Sequence, residues 1–154
     1  ALAHDAAGAF LRERLDRPTP RAHAGIALRG IASACIDISD GLLADLGHML
    51  TMSGVGAEMD ADALPASTAL IEAVPDRDAR RALQLTGGDD YELCFSAPAS
   101  KREAVIAALD AVATPATRIG SLNAGTSGRL RDAEGRSLPL PVRRGWTHFA
   151  EGSA

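Results

Sequence analysis

The order of apolar and polar positions divides this chain into helical and extended segments. Residues 6–15 set Phe10, Leu11 and Leu15 around Arg12, Glu13 and Arg14. That helical pattern must stop before Pro18 and Pro20, which lack the N–H a helix needs. Ser33-Ala34-Cys35-Ile36-Asp37-Ile38 is a short apolar run closed by a polar turn, and it reads as a buried strand. After Ser39-Asp40-Gly41, a turn of about 100° per residue puts Leu42, Leu43, Leu46, Met49 and Leu50 on one arc, with Asp45 and His48 at its edge. This predicts an amphipathic helix lying on a sheet. Residues 55–59 predict a second strand, and residues 66–85 two short helices broken at Pro75-Asp76. Residues 91–95 alternate as a strand after the turn Gly87-Gly88-Asp89-Asp90. Ser100-Lys101-Arg102-Glu103 has the form of a capping box opening a helix with Val105, Ile106, Leu109 and Val112 as its buried stripe. Residues 117–149 offer short strands between glycine-rich turns. Helices and strands mix without strict alternation, so the expected fold class is α+β, a mixed β-sheet packed against helices.

A chain of 154 residues is long enough to bury one core, and its 46% hydrophobic and 23% charged residues are those of a globular domain. With 3% aromatic residues, that core is expected to be Ala, Leu, Val and Ile. The net charge of -4 and scattered basic residues argue against nucleic acid as a partner. Lys101 is the only Lys among 16 basic residues, so a phosphate contact would fall to Arg or to a metal. Cys35 and Cys94 lie in apolar runs without paired spacing and read as buried thiols rather than a disulfide. No stretch approaches the roughly 20 apolar residues of a membrane span, and the first residues lack a signal-peptide pattern. A cytoplasmic protein is the expectation, and Ala1 fits a trimmed piece of a longer one.

Asp37-Ile38-Ser39-Asp40-Gly41 puts two carboxylates and a hydroxyl between a strand and a helix start. Hard Mg²⁺ takes carboxylate and phosphate oxygens together, so Asp37 and Asp40 suit a nucleotide-metal site. The alternative is that Ser39 or Asp40 caps the helix while Asp37 makes a turn bond. Gly87-Gly88-Asp89-Asp90-Tyr91-Glu92 either holds a cationic substrate or is a tight turn with solvated acids. Trp146 is either core packing or a platform for a flat ligand. His48 reads as a surface group and Tyr91 as core. No phosphate loop, protein-kinase signature, zinc spacing or Gly-x-Ser-x-Gly elbow is present.

Three motifs in order, Ala34-Cys35-Ile36-Asp37-Ile38-Ser39-Asp40-Gly41-Leu42 with Asp45-Leu46-Gly47-His48, Gly87-Gly88-Asp89-Asp90-Tyr91-Glu92-Leu93, and Gly145-Trp146-Thr147-His148-Phe149, resemble the C-terminal half of the thiamine-monophosphate kinases of the aminoimidazole ribonucleotide synthetase superfamily. The resemblance implies transfer of the ATP γ-phosphoryl group to thiamine monophosphate, giving thiamine diphosphate and ADP with Mg²⁺. It implies Asp37 and Asp40 as metal ligands, Ser39 as an ATP contact, and Asp89 and Trp146 as substrate contacts. Asp89 stands where Glu is common in the family, one methylene shorter. The resemblance also implies that residues 1–154 are a single C-terminal domain, that a nucleotide-binding and dimerising N-terminal domain is missing, and that the chain alone is inactive. The full enzyme is expected to be a homodimer. Two alternatives stand beside it: another ATP-using enzyme of the superfamily, such as a selenophosphate synthetase or hydrogenase-maturation protein, and a non-catalytic module binding a ligand or protein.

Overall fold

The computed structural model describes residues 5–142 and Gly145. Helix α1 (Ala6–Asp16) starts where the Asp5 carboxylate accepts the Gly8 N–H at 2.8 Å. A short helix α2 (Ala22–Ala27) follows, which the pattern of apolar residues did not predict because its turns are built mostly of Ala and Gly. Strand β1 (Ala34–Asp37) leads into α3 (Leu42–Ser53), closed by Gly54 in the left-handed conformation. Then come β2 (Gly56–Asp60), α4 (Thr68–Ala73), α5 (Arg77–Thr86), β3 (Leu93–Ser96), α6 (Arg102–Asp110), β4 (Gly120–Asn123), β5 (Gly128–Arg131) and β6 (Ser137–Leu138). The break between α4 and α5 falls at Pro75-Asp76 as expected, with Asp76 capping α5 through the Ala79 N–H at 2.7 Å.

Two sheets form. β1 pairs antiparallel with β3, Asp37 opposite Leu93 and Ile36 opposite Cys94. The second runs β4-β2-β5-β6, with β2 antiparallel to β4 and parallel to β5, so the mixed sheet is present. Helix α3 packs between them: Leu42, Leu43, Leu46, Met49 and Leu50 are all buried, in one cluster with Ala57, Met59, Leu85, Cys94 and Leu130. A second cluster of Ala24, Leu28 and Leu109 covers the other face of β3 at Leu93 and Phe95. These two clusters cover β3 on both faces, and the first also takes Ala34 and Ile36 of β1. The chain belongs to the α+β class.

Several local expectations change. β1 is not a buried strand: Cys35 and Asp37 are exposed, because the second cluster reaches β3 but leaves the β1 side of that face open. Cys94 is buried as expected, and burial pushes its thiol up to about 11. Both cysteines are free, so no disulfide links them. Ser100 does not cap α6; a single 3₁₀ turn (Ala99–Lys101) runs directly into the helix. Ile106 leaves the predicted stripe and is 49% exposed, whereas Leu109 is buried. Tyr91 is not core but 41% exposed, and β3 begins two residues late because Asp89 (φ 62°) and Tyr91 (φ 50°) have left-handed backbones. Among the described residues, no helix is long and apolar enough to cross a membrane.

Candidate functional site

The two acidic motifs are far apart in sequence and interlocked in space. The β1-β3 ladder continues past the strand ends: Ile38 N–H donates to Glu92 O, Tyr91 N–H to Ile38 O and Asp89 N–H to Ser39 O, each at 2.8 Å. The segment 86–92 therefore lies directly across the turn 37–41. Glycines permit that approach. A Cβ on Gly88 would sit 2.5 Å from the Ser39 carbonyl oxygen, and one on Gly41 3.0 Å from the Thr86 carbonyl group. Gly41 also has φ 121°, which a residue with a side chain rarely adopts. The third motif joins the same turn through Gly145, whose Cβ would lie 2.5 Å from the Asp40 carbonyl oxygen and 2.7 Å from Ala44 Cβ.

The helix start is held from an unexpected side. The position where a side chain would cap α3 is taken by Gly41, so the helix-cap reading of Ser39 and Asp40 loses its place. Instead Asp45, 4% exposed, turns its Oδ2 back to accept the N–H groups of Ser39, Asp40 and Gly41 at 3.0, 3.1 and 3.2 Å. Asp45 is not a residue at the helix edge but a buried carboxylate paired with three backbone donors, as burial of charge demands. The pattern gave no sign of this, because an acid at the edge of the apolar arc reads as solvated.

Glu92, the last acid of the second motif, is also structural. It takes Arg21 on both oxygens (2.9 and 2.7 Å) and Arg14 at 2.7 Å, tying α1 and the start of α2 to the loop. Glu92 in turn holds the Arg21 guanidinium above its usual range. The Asp90 carboxyl is pushed up to about 6 although the residue as a whole is solvent-exposed: loss of hydration dominates, the Glu92 and Asp89 charges add, and Arg14 opposes.

The structure thus gathers Asp37, Ser39, Asp40 and Asp89 around one turn. Trp146 lies outside the described residues. His48 is exposed, as expected. The donor chemistry fits a hard cation: Asp37 and Asp40 supply carboxylate oxygens, and the one soft group beside them, Cys35, keeps its proton more firmly than a free thiol because burial and the Asp37 charge raise it. Among the described residues no group of three or more His, Cys, Asp or Glu is poised to hold a metal. Two carboxylates suit an ion that completes its shell with phosphate oxygens and water. Two surface clefts of about 270 and 290 Å³ are lined by other residues, such as Arg81 and Arg131, both already paired with carboxylates. At the acidic turn Asp37 and Asp89 are exposed, Ser39 and Asp40 half-buried and Gly41 buried.

Fold and turn define an α+β domain in which two acidic motifs meet beside the β1-β3 pair. Residues 9–133 match the family described as AIR synthase related protein, C-terminal domain, and the chain belongs to that family. It is 46% identical over 141 residues to the thiamine-monophosphate kinase of Salmonella typhimurium, covering 92% of this chain and 43% of that protein. The crystal structure of thiamine-monophosphate kinase from Stenotrophomonas maltophilia superposes with a TM-score of 0.80 at 45% identity, over 90% of this chain and 42% of that one. A structure named "AaThiL complexed with AMPPCP and TMP" gives 0.76 at 27% identity, over 97% and 44%. The chain spans less than half the length of these relatives.

Proposed function

We propose that this chain is the C-terminal part of a thiamine-monophosphate kinase, which transfers the γ-phosphoryl group of ATP to thiamine monophosphate and yields thiamine diphosphate and ADP. The observation that carries this reading is the interlock of the 37–41 turn with the 86–92 loop. A metal-and-nucleotide element and a substrate element must meet if two phosphates are to be joined, and here they share backbone hydrogen bonds. The likeness to a structure named for AMPPCP, an ATP analogue, and TMP supports the same pair of ligands.

In this reading Asp37 and Asp40 hold Mg²⁺, and Ser39 contacts ATP. Bound there, Mg²⁺ supplies charge neutralisation for the phosphates. The protein's own work is alignment, because phosphoryl transfer asks for little covalent chemistry. Asp89 is exposed, and its N–H bond to Ser39 O ties it to the turn; in this reading its carboxylate meets the cationic thiazolium. Trp146, next in sequence to Gly145, is in this reading an aromatic contact for the same flat cation, which an indole attracts. Transfer is in line and leaves no phosphorylated residue. The greater length of the relatives supports an N-terminal domain, which in this reading supplies the remaining nucleotide and metal groups within a cytoplasmic homodimer.

The test is thiamine diphosphate formation from ATP and thiamine monophosphate by the full-length protein and by residues 1–154 alone. Activity in the first and none in the second is expected. Inactivity of the full-length protein with saturating Mg²⁺ would remove the kinase reading, and turnover by the short chain would remove the half-site argument. Trp146→Ala in the full-length protein should raise the KM for thiamine monophosphate about three- to thirty-fold and leave that for ATP unchanged.

A further inference from the structure

We propose that Asp45 is a positioning residue that dedicates the 39–41 turn to cation-bridged phosphate; this rests on the kinase reading above and assigns a role to a residue that reading does not use. Glycine-rich turns between a strand and a helix that cradle phosphate directly do so with N–H groups turned outward. Here all three are spoken for. Ser39, Asp40 and Gly41 donate inward to a single oxygen of Asp45, which is 4% exposed on a helix whose Leu42, Leu43 and Leu46 are buried too. An anion approaching the turn finds no free amide at these three residues and a fixed negative charge behind them. A cation finds the reverse.

The same arrangement sets the second motif. With the amides held inward, the Ser39 carbonyl is presented to the Asp89 N–H at 2.8 Å, so Asp45 fixes the substrate loop through Ser39. Asp45 needs no contact with metal or substrate for this; it acts through Ser39 and Asp40. Partners of this kind, one step removed from a metal, typically account for about 10- to 100-fold in metal affinity or activity.

Two measurements test it. In the unsubstituted full-length protein, selectively ¹⁵N-labelled amides of Ser39, Asp40 and Gly41 should exchange slowly and stay unshifted as inorganic pyrophosphate is added without metal. In kinetics, Asp45→Ala should raise the half-saturating Mg²⁺ concentration for thiamine diphosphate formation about 10- to 100-fold and lower kcat, with the KM for thiamine monophosphate changed less. Asp45→Asn keeps an oxygen in the acceptor's place without its charge, and should raise it only about two- to fivefold. Amide shifts that saturate with pyrophosphate overturn the proposal, as does parental Mg²⁺ dependence in folded Asp45→Asn and Asp45→Ala. If the unsubstituted protein forms no thiamine diphosphate, the kinase reading fails, and the amide titration still decides how the turn is oriented.

Discussion

Gly88→Ala puts a methyl group where the interlocked motifs leave no room. Its Cβ would stand 2.5 Å from the Ser39 carbonyl oxygen and 3.5 Å from Asp40 Cα, so the two segments must part by at least about 0.5 Å to reach the shortest spacing real Cβ atoms show. The obstacle is backbone, which cannot swing aside as a side chain would. That carbonyl also accepts the Asp89 N–H at 2.8 Å, and the parting lengthens this bond. Overpacking of this kind costs about 1–3 kcal/mol, and a weakened hydrogen bond adds about 1 kcal/mol. For a domain of this size the sum corresponds to a Tm lowered by about 5–12 °C. The assay is calorimetry with Gly47→Ala as the comparison, since nothing lies within 4 Å of the Cβ that variant would add inside α3. Gly47→Ala should be neutral or stabilising by up to about 1 kcal/mol. If both variants melt like the parent, the two motifs are not packed as described.

Two further outcomes follow from the charges around the site. Glu92→Gln removes the carboxylate shared by Arg14 and Arg21; because all three side chains are partly exposed, the loss should be about 1–2 kcal/mol, and the Tm difference from the parent should shrink in 1 M NaCl. A difference that salt leaves unchanged would mean that the pairing is not electrostatic. Asp90 titrates near 6 when folded and near 3.8 when unfolded, so the folded state binds its proton more tightly, and its contribution to stability is complete below about pH 4 and lost as pH rises through 6. Asp90→Asn should therefore raise Tm at pH 7.5 relative to the parent, with the gain fading toward pH 4; a gain independent of pH would contradict the shift.

What the sequence made legible were the elements whose pattern is periodic and whose ends are punctuated. The arc of Leu42, Leu43, Leu46, Met49 and Leu50 marked α3, Pro18 and Pro20 closed α1, and Pro75-Asp76 split α4 from α5. The paired glycines Gly87-Gly88 marked a turn because only a residue without a Cβ can lie against the Ser39 carbonyl. What escaped was set by tertiary contact. Helix α2 is too short and too small in its side chains to show a stripe. Asp45 carries the same letter as a solvated acid, and only the backward fold of the 39–41 turn shows that its partners are amides. Ser100 has the spacing of a capping box, yet a 3₁₀ turn placed before α6 takes over the helix start. Exposure of Cys35 depended on how far α2 and α6 reach across a two-stranded sheet, which no local pattern encodes.

In the proposed function the two acidic motifs form one site for metal-assisted phosphoryl transfer, with Asp37 and Asp40 as its metal-holding carboxylates. Turnover of the full-length protein against Mg²⁺ concentration, for Asp37→Asn and Asp40→Asn, tests it most directly, with a melting curve for each variant. Asp37 is exposed at the end of β1, so its substitution should leave Tm within about 2 °C of the parent while kcat at limiting Mg²⁺ falls about 100- to 1,000-fold. Near-parental turnover at limiting Mg²⁺ in both variants would contradict the account and leave the acids of this turn as surface groups of a binding module.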